Sequence, residues 1–524
     1  MTERCDRRQR IWLALIMLFA LAVRLVFAPH LAGDDDLSLA GSAIGILRHG
    51  FTVPGGNYGA DYGMIVPLAG VFGVFGVGIP QLDLLPMIAA IGGIYVVARI
   101  GALMFDPVIG LIGAAAFACF PMAVQYSTLF FPDLPQGVVL GLCFLCVLHT
   151  QGGGGRATWW AVAAGAWYAY GYEVRIDSFF MGFVLLAATA FGYLPWRQLF
   201  VAAAVTGGLV GIEFAIFAKV TGHPLYHAML EQRDANEVLA PDMNYRNMIT
   251  YPKVMFLTPY EAGLHFYLLV AASVRAVLRR NRAALMLLVW VAIFLIWLMF
   301  GVDPFHHPIQ LKPQLGRYLL EICVPMSVLI GWFLVGVYRH ASRAAAFALG
   351  GVTLVVALVF MQFNLLNVEP ALATMRATRM AVEKHWFPLY TDSQSSGIAA
   401  FLLYGSPDRT QLHAAQSHDF LTGTTRFVHI PGPTAYLLIN YDFARQLHRR
   451  NLETEITPNR FGLKAQPVFA VSNPEPAASY AILRGLAALA RLIPVPGISA
   501  HIEATAANVL RGDDAVIYRL HGKK

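Results

Sequence analysis

Apolar runs of about 20 residues, the length a helix needs to cross the hydrocarbon core of a bilayer, recur in this chain from residue 11 to about residue 365. Nothing else in the sequence constrains folding as strongly, because in lipid each backbone N–H and C=O must be satisfied within the spanning structure itself. The composition agrees: 57% of the 524 residues are hydrophobic, 13% are charged, and mean hydropathy is +0.57. The expected fold class is a polytopic α-helical membrane protein of about 11 transmembrane helices, followed by a C-terminal soluble α/β domain. The spans expected are 11–29, 82–104, 108–121, 134–149, 159–172, 178–194, 198–219, 262–279, 283–300, 317–338 and 344–364. The corresponding domains are 1–370, transmembrane, and 371–524, extracytoplasmic.

Loop charges set the orientation. The net charge of +7 is spread over short loops, so it reports topology across a membrane and predicts no nucleic-acid partner. Arg7, Arg8 and Arg10 precede the first run, and alternate loops carry Arg99, Arg156, Arg197, the "RAVLRRNR" run from Arg275 to Arg282, Arg339 and Arg343. This places the N-terminus in the cytoplasm and the C-terminal domain outside a cytoplasmic (inner) membrane. The first run is read as a retained anchor, since no small-residue cleavage site follows it and Arg24 interrupts it. Counting Gly63 to Pro80 as a span would invert every later loop, so that stretch is read as interfacial or re-entrant. Cys143 and Cys146 have CxxC spacing inside an apolar helix, where small-residue packing explains them, and the soluble part has no cysteine.

With this orientation the polar features share the outer face. After the first span comes "GDDDLSLAGSAIGILRHG", in which Leu37, Ala40, Ile44 and Leu47 form a stripe ended by Gly50, an amphipathic helix suited to the membrane surface. Capping that helix explains one carboxylate of Asp34, Asp35 and Asp36, and either Asp36 or Asp35 fits that role. Three adjacent carboxylates otherwise repel, unless a cation, metal or reacting hydroxyl shares the site. The sequence specifies no cofactor, and a divalent metal is the candidate that would relieve this repulsion. Asp133 in "FPDLPQ" is equally well a cap or a site residue, while Glu173 and Asp177 flank Arg175 at a helix end. Glu213 and Arg24 lie within spans, where an ionisable group needs a partner or a wet cavity. Arg317 and Tyr318 open a span where an arginine can snorkel or hold a phosphate, and Lys312 lies on the same side. His306 and His307 beside Asp303 match no standard ligand spacing.

In their order, these features resemble the integral-membrane GT-C glycosyltransferases, and most of all glycosyltransferase family 39, which includes protein O-mannosyltransferases and lipid A aminoarabinose transferases. They are Arg24, "GDDD", Gly50, Pro67 with Leu68, Phe75 with Gly76, Pro132 with Asp133, "VRIDSFF" and "GRYLLE". The resemblance covers about residues 11–365 and implies transfer of a sugar from a polyprenyl-phosphate donor to a glycan, lipid or protein acceptor, with membrane lipid as surroundings. It also implies that one aspartate of the first outer loop is the general base. Register favours Asp35, with Asp36 where relatives have Glu, and Asp34 as the third candidate. The Lys or Glu-Lys that relatives carry before Pro-Leu is replaced here by "ADYGMIV".

Chemistry suits these residues without the name. A sugar leaving as its lipid phosphate passes through an oxocarbenium-like state, so a carboxylate that removes the acceptor proton assists bond formation. The departing phosphate needs positive charge, for which Arg317, Tyr318, Arg175 and Lys312 are the expected donor-binding residues. Asp133, Asp177, Glu173 and Arg24 are expected in support. Rival readings are a transporter or flippase for lipid-linked sugar, an O-antigen ligase-like enzyme for which "GVDPFHHP" speaks, and a noncatalytic relative that binds the donor.

Overall fold

The computed structural model describes residues 7–230, 250–303, 310–311, 315–367, 371–419, 424–430, 435–441, 463–472, 477–491, 497, 499–500 and 514–523. The chain forms two compact units, one of Met1–Ala28, Gly45–Ala69 and Leu84–Met361, the other of Pro29–Ile44, Gly70–Asp83 and Gln362–Lys524.

Helices dominate the first unit: α1 (Arg7–Val26), α2 (Asp35–His49), α3 (Tyr62–Phe75), α4 (Ile79–Met104), α5 (Pro107–Ala118), α6 (Asp133–His149), α7 (Gly154–Val174), α8 (Met181–Ala190), α9 (Trp196–Thr221), α10 (His265–Arg279), α11 (Arg282–Phe300), α12 (Cys323–His340) and α13 (Arg343–Asn367), of which α2, α3, α4 and α13 have residues in both units. Every expected span coincides with one of them, and among the described residues seven helical stretches are long and apolar enough to cross a membrane. The protein is an integral membrane protein. Helix α3 has 14 residues, about 21 Å of rise, short of a hydrocarbon layer about 30 Å thick. The expected spans α5 and α8 are shorter still, at 12 and 10 residues, so length does not set α3 apart from them.

Helix α6 is apolar on all sides and buried along nearly its whole length, the pattern of a central bundle helix. Cys143 and Cys146 sit there as free, buried thiols. Small residues bring α5 against α12: a Cβ on Gly331 would lie 2.5 Å from Gly113 N and 2.6 Å from Ile109 O, so only hydrogen fits at that contact. At the opposite end of α5 from its C-cap, Asp106 caps the helix by accepting from Val108 and Ile109 N–H and also receives Arg339 Nη1 at 2.7 Å.

In the second unit, a five-stranded sheet has the order β2-β1-β3-β5-β4, with β1 (Leu389–Thr391), β2 (Leu412–Ala414), β3 (Ala435–Asn440), β4 (Leu463–Ser472) and β5 (Asp514–Lys523). Strand β1 pairs parallel with β2 and β3, and β5 pairs antiparallel with β3 and β4. Helix α14 (Ala371–Glu383) buries Ala373, Ala377 and Ala381, at i+4 spacing, with Leu389, Leu438 and Ile517. Tyr390, Leu437 and Ile439 belong to a separate core cluster, as period-two alternation requires. Period-two stretches in the sequence predict strands at 387–392, 426–430, 435–440, 467–472 and 515–520, with helices between them; the first contains β1, the second overlaps a short hairpin of Gln416–Asp419 with Thr424–Phe427, the third matches β3, and the last two lie within the longer β4 and β5. Strand β2 falls where helix was expected.

Replacing Gly331 with Val should separate α12 from α5 and lower stability by about 1–3 kcal/mol or more. Thermal unfolding of the detergent-purified protein measures this, and an unchanged melting temperature would contradict the packing described.

Candidate active site

The three aspartates of the first loop have different fates. Asp36 is fully buried, and its carboxylate accepts four backbone N–H groups: Ala32 at 2.8 Å on Oδ2, and Gly33, Asp34 and Leu37 at 3.0, 2.9 and 2.9 Å on Oδ1. It folds the loop onto the start of α2. Burial pushes the Asp36 carboxyl from its ordinary 3.8 up to about 6, and the amides of Ala32, Asp34 and Leu37 hold it from rising further. Asp34 is exposed, and its carbonyl accepts from Leu37 and Ser38 N–H. Asp35, the first residue of α2, is 9% exposed. Sequence alone predicted that one of the three would be structural, and the hydrogen bonds make it Asp36.

The buried residues of α2 are Asp35, Asp36, Leu39, Ala40 and Ala43, and from Asp36 onward they form an i, i+3, i+4, i+7 set rotated from the expected stripe. Leu47 is 46% exposed. Seating the Asp36 carboxylate against the loop amides fixes this rotation. Gly50 ends the helix as expected, with φ +73° and its N–H on Ile46 O at 2.9 Å.

In the first unit, residues scattered over 190 positions of sequence converge on Arg175, which follows α7. Its Nη1 bonds Asp133 Oδ1 and lies 3.9 Å from Glu321 Oε1, its Nε bonds Asp177 Oδ2 at 3.0 Å, and its guanidinium stacks 3.7 Å from the Tyr318 ring centroid. Asp177 also accepts from Trp297 Nε1 at 2.9 Å. Arg317 Nε is 3.4 Å from Asp133 Oδ2, and its guanidinium lies 4.4 Å from the Phe131 ring centroid. Asp133 and Glu321 are fully buried, whereas the side chains of Arg175 and Arg317 keep 11% and 17% exposure. Two guanidinium groups thus meet three carboxylates, and Arg175 is bound up with all three.

Local structure makes this convergence possible. Asp133 and Gln136 lie one turn apart on α6, and the Gln136 amide reaches Ser178 Oγ at 3.1 Å and Glu321 Oε1 at 3.3 Å. Gly137 carries no side chain where the Leu320 carbonyl of the 3-10 turn Gly316–Ile322 crosses α6. Of the residues expected at the donor, Arg175, Arg317 and Tyr318 come together here with Asp133 and Asp177. Lys312, His306 and His307 lie outside the described residues. Glu321, Trp297, Gln136 and Ser178 escaped the sequence reading; Glu321 one turn after Arg317, and Gln136 one turn after Asp133, were its available signals.

Glu173 and Glu213 belong to another group. His227 Nδ1 is 2.9 Å from Glu213 Oε1, and its Nε2 is 3.7 Å from Asp61 Oδ1. Burial alone would lower His227, but the charges of Asp61 and Glu213 outweigh it and hold the imidazole at about 10, so it stays protonated near neutrality. Asp61 lies within the "ADYG" stretch that replaces the basic motif of relatives. Arg24 is fully buried and donates to the carbonyls of Ala20 and Ala118, both at 3.2 Å. It therefore ties α1 to α5, and no carboxylate meets it among the described residues. Likewise, no group of three or more His, Cys, Asp and Glu side chains is placed to hold a metal among the described residues.

The architecture has known counterparts. The family described as dolichyl-phosphate-mannose-protein mannosyltransferase matches residues 67–221, a stretch that begins at the Pro67-Leu68 pair and includes Asp133 and Arg175. ArnT from Cupriavidus metallidurans in the apo state is similar at 15% identity and TM-score 0.53, over 84% of this chain and 94% of that one. ArnT bound to undecaprenyl phosphate gives 14% and 0.54 over the same shares. The Archaeoglobus fulgidus oligosaccharyltransferase in complex with Zn and sulfate gives 11% and 0.53, over 97% of this chain and 88% of that one. No curated protein matches by sequence. At these identities the likeness is one of fold: like these structures, the chain is a polytopic helical bundle followed by a mixed α/β domain.

Two outcomes follow from the geometry. Arg175→Met would strand three carboxylates, so it should destabilise the protein by about 3–5 kcal/mol, read as a fall in melting temperature in detergent. Asp36→Asn, which replaces an acceptor oxygen with a donor, should lower stability by about 1.5–3 kcal/mol. Because the folded carboxyl sits at about 6, above its ordinary 3.8, its linked stability is fully present below the lower value and is lost as pH rises through the higher one. Melting temperatures across that window should lose this slope in Asp36→Asn.

Proposed function

We propose that this protein is a membrane glycosyltransferase that moves a sugar from a polyprenyl-phosphate donor to an acceptor hydroxyl on the extracytoplasmic face of the cytoplasmic membrane. The GT-C architecture and the family match over residues 67–221 support the class. The observation that carries the reading is the division of labour in the first loop, where Asp36 is consumed by backbone amides and holds Asp35 at the head of α2, mostly buried.

Asp35 takes the acceptor hydroxyl proton as the oxygen attacks the anomeric carbon, and the bond from that carbon to the lipid phosphate breaks. A positioned carboxylate base contributes about 10²–10⁴ in rate. The leaving phosphate carries its own negative charge and needs cations rather than a general acid. Arg317 is the residue assigned to it: its fork can bind phosphate bidentately, and of the two arginines in the network its side chain is the more exposed. Arg175, committed to Asp133, Asp177 and Glu321, orients this network and holds Tyr318 in place. Lys312 is a second candidate for the phosphate. The acceptor is a glycan, lipid or protein hydroxyl. A divalent cation at the first loop would draw on Asp35 and Asp34, hard oxygen ligands of the kind Mg²⁺ and Mn²⁺ accept, because Asp36 is already engaged. A transporter is disfavoured, since Arg175, Asp133 and Arg317 cluster at helix ends rather than in broken helices at the midplane.

Purified Asp35→Asn should lose transfer by about 10²–10⁴ while keeping the wild-type melting temperature; wild-type turnover would remove Asp35 from this role. Arg317→Ala should raise KM for the donor and lower kcat. Donors are supplied as a panel of radiolabelled polyprenyl-phosphate sugars with cell-envelope acceptors, before and after chelation. Mass spectrometry of the purified protein should find a co-purified isoprenoid phosphate.

A further inference from the structure

The residue assigned as base belongs to a segment that folds with the C-terminal domain, since Pro29–Ile44 and Gly70–Asp83 form one compact unit with Gln362–Lys524. Within that unit the segment is held on both sides of Asp35. Five residues before it, His30 Nδ1 is 2.6 Å from Asp83 Oδ2. Two residues after it, Leu37 packs against helix α15 (Ser393–Leu402), so closely that a Cβ on Gly397 would lie 3.3 Å from Leu37 Cδ1.

Gly397 is an interior residue of α15, a position where glycine is a poor helix former. No left-handed φ requires it there. A Cβ there would instead meet Leu37 closer than ordinary van der Waals contact, and a larger side chain would occupy the space of its Cδ1. Helix α15 is itself anchored. It starts immediately after β1, its N-cap Asp392 accepts from Ser395 N–H at 2.7 Å, and Ile398 and Ala399 are fully buried. Buried hydrogen bonds run from Ser395 Oγ to Thr374 Oγ1 at 3.2 Å, and from Asn440 Nδ2 to Thr374 Oγ1 at 2.9 Å, linking α15 to α14 and the end of β3. The sheet therefore fixes α15, and α15 presents a notch to the first turn of α2.

We infer that the α/β domain positions the catalytic carboxylate, with the Gly397 notch receiving Leu37 and so setting where α2 begins and where Asp35 points. The inference rests on the assignment of Asp35 as base. Gly397 and Leu37 touch no reacting atom and are positioning residues. A side chain at 397 would push Leu37 and the first turn of α2 outward, and a misplacement of about 1 Å can cost about a hundredfold in rate.

The test is a cycle of four full-length proteins: wild type, Gly397→Leu, Leu37→Ala and the double variant. Gly397→Leu is expected to lower kcat about 10- to 100-fold while leaving donor KM within about twofold. The double variant, with space restored, is expected to recover kcat to within about threefold of Leu37→Ala alone. Undiminished kcat in Gly397→Leu overturns the inference, as does an equal loss with and without Leu37→Ala. If the wild type transfers no sugar from any donor, the proposed function fails, and melting temperatures of the same four proteins still report the contact. Non-additive values uphold the notch, and additive values overturn it.

Discussion

A guanidinium group at the ends of apolar helices is tolerated only if carboxylates and hydrogen bonds replace the water it has lost, and the first unit is arranged around that requirement. Arg175 gathers Asp133, Asp177 and Glu321, and stacks on Tyr318. Those partners come from α6, from the turn before α8 and from the turn before α12. Meeting the requirement of one cation thereby fixes the register of three helix ends. Replacing such a network with hydrocarbon would often leave a protein no less stable, so its retention fits a role in binding or chemistry.

The second constraint is of the same kind with the sign reversed. Asp36 is a buried anion whose charge is balanced by four amide N–H groups instead of a cation. Those amides belong to the loop itself, so neutralising the charge and folding the loop are one event. Burial outweighs these hydrogen bonds, which is why the carboxyl sits above its ordinary 3.8, at about 6. What remains is a short, stiff platform with Asp35 at its edge, tied to Asp83 through His30 and to Gly397 through Leu37.

Much of this was legible in the residues. Apolar runs located the helices because segment length and backbone satisfaction leave few alternatives in lipid. Short period-two stretches located β1, β3, β4 and β5 for a similarly local reason. The convergence of Arg175, Arg317, Tyr318, Asp133 and Asp177 was anticipated as a list of residues on one side. Their contacts were not, because which helix ends meet depends on close approaches such as Gly137 against Leu320. The same holds for Arg24, whose charge suggested a cavity but whose guanidinium joins α1 to α5. Glu173 was expected in support of the outer site and Glu213 at a cavity; Glu213 pairs with His227 beside Asp61, partners more than ten residues away in either direction.

By itself the sequence determined that the chain spans a membrane, where its helices lie, that a small α/β domain follows, and that the first loop carries the most reactive-looking carboxylates. These are properties of composition and period, set by each segment and its solvent. Only the tertiary structure decided which aspartate of three is structural, how three carboxylates gather on Arg175 while Arg317 pairs with Asp133, and which unit owns the first loop. Such choices among identical side chains turn on backbone amides and neighbours brought from distant parts of the chain, and no local pattern encodes them.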